Sequence, residues 1–402
     1  MNVMRWIEGS KVQYHPQWLR RWREDPFNLM PVYLEISPSG RCNHRCSFCA
    51  PDILGYPDRF LDTDIMCRRI GELRELREED PDGLGVKSIQ FAGEGEPTLH
   101  KELGRIFKAT RDAGIDIGML TNGTALPEQT ARRIIPLVNG YIQFSVNAGT
   151  AKSYARIHDC SEQHWNMAWR NIERAANLKQ TLGARDCELG VNMTVLVQEA
   201  SKNGKVIPAN WQEIEQLVQR AHASGADYVS IKPYSQHPLS QATAGRYGTM
   251  SYRQLMDEIN ATGEDLIRRY SSDLFEVVFR FTRFEEYESE RPYSTCLVTP
   301  SLWSYIQSDG LWLSCSAYWT DPRFALGNLN TQTVREIWFG ETRRQHLDFV
   351  LNHLDIGQCR KTCHPDKDNK FMTGLRGLSD EQFEKEMVQL ETVSPPKRAN
   401  FI

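Results

Sequence analysis

Three cysteines, Cys42, Cys46 and Cys49, stand in the run C-N-H-R-C-S-F-C, a CxxxCxxC spacing that one loop can wrap around a metal group. Thiolates are soft ligands that select iron-sulfur clusters or zinc. Three of them hold three irons of a [4Fe-4S] cluster and leave one iron open. A structural zinc ion would want a fourth protein ligand close by, which His44 supplies only awkwardly from inside the loop. Four more cysteines come late: Cys296, then Cys315 four residues beyond Gly310, then Cys359 and Cys363 as a CxxxC pair. By spacing alone these bind either a second cluster or zinc.

Something must hold these loops. Short β-branched runs at 32–37, 86–93, 116–122, 141–148, 188–197 and 228–234 read as strands. Amphipathic stretches alternate with them, with Leu103, Ile106, Phe107 and Thr110 on one helical face and Ile214, Leu217, Val218 and Ala221 on another. A βαβα order implies a parallel sheet, and six such units predict an α/β fold, an incomplete (β/α)6 barrel with a small C-terminal α+β extension. The first cysteine loop directly follows the first strand. A helical pattern through Leu255, Ile259, Leu266 and Tyr270, and a further strand-like run at 274–281, precede a Glu-rich link at 285–290. We therefore divide the chain into an N-terminal helical segment (1–30), a partial barrel (31–284), a cysteine domain (285–372) and a polar tail (373–402) expected to be a helix and a loose end.

At 402 residues the chain is long enough for one large domain plus an appendage, and its formal net charge of −4 gives no reason to expect nucleic acid as partner. No apolar run approaches a membrane span and the N-terminus lacks a signal-peptide pattern, so a soluble, cytoplasmic protein is expected. Ten cysteines in such a setting are better metal ligands than a disulfide framework. There is no internal repeat.

Taken with F-A-G-E-G-E-P at the second strand end, the CxxxCxxC loop resembles that of the radical S-adenosylmethionine (SAM) superfamily, with Phe48 at its aromatic position. The resemblance implies that Cys42, Cys46 and Cys49 ligate a [4Fe-4S] cluster whose open iron takes SAM. It further implies reductive cleavage of SAM to a 5'-deoxyadenosyl radical that abstracts hydrogen, and a flavodoxin- or ferredoxin-type reductant. Gly95, Glu96 and Pro97 match the family's GGEP motif beside the methionine amino group, whereas Glu94 replaces a glycine. Thr121, Asn122 and Gly123, with Ser145 and Asn147, fall where the family contacts ribose and methionine carboxylate. A helix cap is the other reading of Asn122. Residues 193–197 either pack the adenine or belong to the core.

The late cysteines resemble the CX(9–15)GX4C signature of SPASM and twitch domains, and F-A-L-G-N-L-N-T-Q-T-V-R-E-I-W resembles their hairpin-to-helix stretch. A full SPASM domain carries about seven cysteines for two clusters. Four here fit the twitch form with one cluster, ligated by Cys296, Cys315, Cys359 and Cys363. Cys67 and Cys187 are read as buried small hydrophobes. Cys160, in I-H-D-C-S-E, is a candidate hydrogen-atom donor facing the cavity.

The motifs report radical generation more than substrate. The layout is similar to twitch-domain dehydrogenases of aminocyclitols and sugars, which implies a small-molecule substrate oxidised or epimerised at a hydroxylated carbon. Such chemistry needs a base for the hydroxyl proton. In I-K-P-Y-S-Q-H, Lys232 and His237 are candidates for it, and Tyr234 and Gln236 for hydroxyl contacts; each also reads as a surface or cap residue. Modification of a ribosomally made peptide is the alternative, weakened because the thirty residues before the first strand are too few for a peptide-recognition domain. Trp18 and Trp22 are expected to anchor a helix on the barrel. A non-catalytic electron carrier or zinc module would leave GEGEP and the six βα units unexplained.

Overall fold

The structure, a computed structural model, describes residues 9–202, 205–235, 237, 239–240, 251–299 and 301–402. Its strands are β1 (Tyr33–Ile36), β2 (Ser88–Phe91), β3 (Asp116–Thr121), β4 (Tyr141–Ser145), β5 (Glu188–Val195), a two-stranded hairpin of β6 (Ala200–Lys202) and β7 (Lys205–Ile207), β8 (Tyr228–Pro233), β9 (Glu276–Phe279), β10 (Trp303–Ile306), β11 (Leu311–Leu313) and β12 (Ala325–Asn328). Apart from the hairpin they form one sheet in the order β12-β11-β10-β1-β2-β3-β4-β5-β8-β9, parallel from β10 to β9.

The six expected strands are all present. Alternation along them sets the two faces of the sheet. Leu34, Ile36, Ile89, Phe91, Ile117, Met119, Ile142, Phe144, Val191 and Ile231 share the main core with the helices. The intervening positions are polar, small or aromatic: Glu35 pairs in register with Gln90, Gln90 with Gly118, and Gly118 with Tyr141. A Cβ on Gly118 would stand 2.8 Å from Phe401 and 2.9 Å from the Tyr141 ring, so glycine here makes room for two aromatic side chains.

The further strand expected at 274–281 is present, and two expectations, the Glu-rich link and the loose end, are corrected. The strand-like run at 274–281 is a seventh barrel strand, β9, and the Glu-rich stretch after it is the end of a helix, Phe281–Glu288, that buries Phe284 and Tyr287. β10 of the cysteine domain pairs in parallel with β1, so that domain extends the barrel sheet. The tail is no loose end: a helix Asp380–Glu391 buries Phe383, Met387 and Leu390 in a core shared with Trp18, Leu19 and Trp22 of the helix Pro16–Glu24. Ala399, Phe401 and Ile402 are buried as well, Phe401 lying 5.0 Å from the Tyr141 ring. The tail's polar average hid a helical stripe of apolar residues spaced three to four apart. Among the described residues no helix is long and apolar enough to cross a membrane.

Candidate active site and cluster sites

The first cysteine loop leaves β1 and is fastened at several points. Asn43 Nδ2 donates to Thr124 Oγ1 and Asn122 Nδ2 to Asn43 Oδ1, both at 2.8 Å. The Ser47 and Arg45 amides donate to the carbonyls of Ile157 and His158. His158 Nδ1 lies 3.1 Å from Cys46 Sγ, and Phe48 meets the His158 ring edge to face. Burial pushes the Cys42 thiol up to about 12, helped by the charges of Glu96 and Cys49, and burial raises the Cys46 thiol well above its usual value too. Such thiols ionise when metal replaces their protons. Among the described residues neither cysteine set brings three sulfurs within 4.8 Å of one another.

The G-E-G-E-P turn lies on this loop. A Cβ on Gly95 would stand 2.2 Å from the Arg41 carbonyl oxygen, and the Glu96 amide donates to that oxygen at 2.9 Å. Glu96 is buried, with Oε1 accepting from the Thr98 amide, Thr98 Oγ1 and Thr121 Oγ1, and Oε2 from the Asn122 amide at 2.7 Å. Expected as separate ligand contacts, Glu96, Thr121 and Asn122 are bonded together and tie the ends of β2 and β3 to the cysteine loop. Pro97 starts the short helix Pro97–Leu99. At the ends of β4 and β5, Asn147 (φ 59°) accepts from the Thr194 amide at 2.8 Å. Its Nδ2 and Asn192 Oδ1 are buried with no partner in the protein. A donor and an acceptor left so suit a polar ligand. Ser145, half-buried, ends β4 beside them. Residues 193–197 are buried core.

Within the barrel, a cavity of about 310 Å³ is lined by Glu35, Gln90, Gln143, Tyr228 and Lys232 from the strands, by Arg280 and Arg283 after β9, and by Arg360 and His364 of the second cysteine loop. Tyr228 Oη donates to Gln143 Oε1 at 3.1 Å. Burial, together with the charges of Arg280, Arg283 and Arg360, pushes Lys232 down to about 7, opposed by Glu35. Glu35 is itself pushed up to about 7 by burial, against Arg360 and Lys232.

The other candidates fall elsewhere. His237 stacks on Trp319 (5.4 Å, 15°), donates from Nε2 to the Ser316 carbonyl at 3.3 Å and accepts at Nδ1 from the Leu239 amide. It docks the barrel on the cysteine domain and is not in the cavity lining. Burial also pushes it down to about 4, so it is neutral. Cys160, expected to face the cavity, stands with His44 and His164 beside the first cysteine loop, their ligand atoms within 4.8 Å. The helix Ala151–His158 ends at Asp159 in the left-handed region, and this turn carries Cys160 toward the loop. Cys187 is buried as expected, whereas Cys67 is only half-buried. The Tyr234 amide donates to Tyr252 Oη. Gln236 lies outside the described residues. Arg280, Arg283 and Arg360 escaped sequence reading because only the fold brings the end of β9 against the CxxxC pair.

Cys296, Cys315, Cys359 and Cys363 converge at the other cysteine site, each of Cys296, Cys315 and Cys363 feeling the charge of another member. Tyr318 Oη lies 3.1 Å from Cys359 Sγ and the Ala317 amide 3.4 Å from Cys315 Sγ. Four thiols with such neighbours fit one fully ligated cluster.

A three-cysteine loop on the strand ends of an open βα barrel, with a four-cysteine domain continuing the sheet, defines an iron-sulfur enzyme of the SAM-cleaving kind. Residues 36–196 match the Radical SAM superfamily and 296–364 the SPASM iron-sulfur cluster-binding domain; the chain belongs to the radical SAM enzymes with a C-terminal SPASM/twitch domain. Its cofactors are SAM and two [4Fe-4S] clusters. Among curated proteins it is 24% identical over 178 residues to the tungsten-containing aldehyde ferredoxin oxidoreductase cofactor-modifying protein of Pyrococcus furiosus, covering 44% of this chain and 46% of that one. It is 36% identical over 110 residues to GTP 3',8-cyclase of Stenotrophomonas maltophilia, covering 26% and 31%. The chain thus spans less than half the length of these relatives. Streptococcus suis SuiB bound to SAM superposes with a TM-score of 0.58 at 16% identity over 81% of this chain and 69% of that one. SAM-bound anSMEcpe does so with 0.52 at 16% identity over 90% and 96%. Both likenesses concern the fold.

Proposed function

We propose that this enzyme oxidises a hydroxylated carbon of a small, sugar-like molecule held in the central cavity, with Lys232 as the base that takes the hydroxyl proton. When bound, the cofactors supply the radical that removes the carbon-bound hydrogen atom and an acceptor for the remaining electron. The protein has to hold the substrate and receive the proton as the hydroxyl becomes a carbonyl.

The observation that carries this reading is Lys232. It lines a cavity at the small end of the range for small-molecule sites. A lysine near 7 is deprotonated in part at neutral pH and can accept a proton. Gln90, Gln143 and Tyr228 offer the amide and hydroxyl groups that a polyol needs. Cys160 lies outside the cavity lining, which favours oxidation over an epimerisation that would need a hydrogen donor.

The test is anaerobic turnover with sugars or cyclitols deuterated at single carbons. The reading expects deuterium in 5'-deoxyadenosine and a carbonyl product, with Lys232→Met still cleaving SAM but forming no product. Deuterium arriving only from labelled peptides would replace it with peptide modification.

A further inference from the structure

Beside the first cysteine loop stands a second group of soft donors. One ring nitrogen each of His44 and His164 and the sulfur of Cys160 lie within 4.8 Å of one another. They come from three segments: His44 from the cysteine loop itself, Cys160 from the turn after the left-handed Asp159, and His164 from the first turn of the helix Glu162–Thr181. Backbone bonds fasten the loop to the end of the preceding helix, the Arg45 and Ser47 amides donating to the carbonyls of His158 and Ile157. The donors are therefore in place before any ion arrives. A second triad of His44, Cys46 and His158 is claimed elsewhere, because Cys46 belongs to the CxxxCxxC set and His158 is bonded through Nε2 to the Val146 carbonyl at 2.9 Å. His44 is 2% exposed; its Nε2 meets His164 Nδ1 at 2.8 Å, and its Nδ1 is buried with no partner in the protein. A buried ring nitrogen left so calls for an ion or a water at the site. Two nitrogens on one tetrahedral zinc, each bonded at ~2.0–2.1 Å, stand about 3.3 Å apart, so the facing pair would open by only about half an ångström.

We propose that His44, Cys160 and His164 bind a zinc ion beside the first cluster, with water in the fourth position. Two imidazoles and one thiolate are a zinc donor set, and zinc has no redox chemistry to compete with a neighbouring iron-sulfur cluster for electrons. Cys160 and His164 are half-buried, which gives the ion a way in, whereas His44 closes the site from inside. None of the three lines the central cavity, so the site is separate from substrate binding. Its ion cross-links the cysteine loop to the turn at 159–161 and to the helix that follows.

The experiment supplies the anaerobic holoenzyme, carrying about eight irons, with one equivalent of zinc chloride, desalts it, and counts zinc and iron per chain in wild type, Cys160→Ala and His164→Ala. Wild type should retain about one zinc with its iron unchanged, and each variant should lose the zinc while keeping the iron. X-ray absorption at the zinc edge should show one sulfur at ~2.3 Å and two nitrogens at ~2.0–2.1 Å. Wild type that retains no zinc overturns the proposal, and so does zinc that survives both substitutions. Zinc surrounded by four sulfurs overturns it as well, because it would place the ion on Cys296, Cys315, Cys359 and Cys363. Should both variants lose iron through misfolding, the wild-type zinc count and its sulfur and nitrogen shell decide alone.

Discussion

Glu94 Oε2 accepts the backbone amide of Ser308 at 2.6 Å, joining the end of β2 to the turn between β10 and β11. Its other oxygen meets Arg59 Nη2 at 2.6 Å, while Arg59 reaches Asp309 through Nη1 and Ser308 Oγ through Nε. The residue that departs from GGEP is therefore a buried clasp between barrel and cysteine domain. Glu94→Gly, which restores the family's glycine, strands the Ser308 amide and removes a partner of Arg59. It should cost about 2 to 3 kcal/mol, discounted because Arg59 is partly exposed. Chemical denaturation checks the magnitude, and faster proteolysis around 308–309 would locate it.

Gly95 permits the contact between the strand end and the first cysteine loop. Any side chain there collides with the Arg41 carbonyl, which is backbone and cannot swing away. Gly95→Ala should displace the loop and lower bound iron from about eight to about four per chain, leaving the second cluster in place. Iron and sulfide analysis decides it: eight irons in the variant would mean that the loop tolerates the shift.

Much of this was legible in sequence because the relevant signals are local. Cys42, Cys46 and Cys49, the GEGEP turn and the strand-helix alternation each announce themselves within a few residues, and the two family matches agree with them. What was not legible depends on contacts distant in sequence. His237 and Lys232 sit in one heptapeptide at a strand end, yet one packs on Trp319 and the other lines the cavity. Glu94 looked like a departure because its partners, Arg59 and Ser308, are 35 residues before and 214 residues after it. Cys160 follows a left-handed turn at Asp159, whose direction no periodicity reveals.

As the proposed base, Lys232 would give the reaction a pH signature. The groups facing it are Arg280, Arg283 and Arg360, which with burial push it down to about 7, and Glu35, which pulls it up. A base must be unprotonated, so product formation should rise with pH through about 7 and then level. Glu35→Gln removes the upward pull, so the rising limb should move to lower pH. The folded chain loses this proton near 7 and the unfolded chain near 10.4, so the same group makes stability increase with pH across that window. Rate profiles of wild type and Glu35→Gln, with SAM cleavage followed separately, check the assignment; a limb that stays put in the variant would remove Lys232 as the titrating group.

Tyr318 offers the cleanest access to the second cluster. Its ring stacks on Phe324 at 3.9 Å and 4°, and its hydroxyl lies 3.1 Å from Cys359 Sγ. Tyr318→Phe keeps the stack and deletes only the hydroxyl. A hydroxyl donating to a ligating sulfur draws off charge and favours the reduced cluster, so its loss should lower that cluster's reduction potential by tens of millivolts. The first cluster, held by a different loop, should keep its potential, and 5'-deoxyadenosine should form at the wild-type rate. If the second cluster accepts the substrate's electron, formation of the oxidised product should slow while SAM cleavage does not. Potentiometric titration followed by electron paramagnetic resonance, alongside both product assays, separates the possibilities. A lowered potential with unchanged product formation would send the electron elsewhere, and an unchanged potential would show that the hydroxyl does not donate to Cys359.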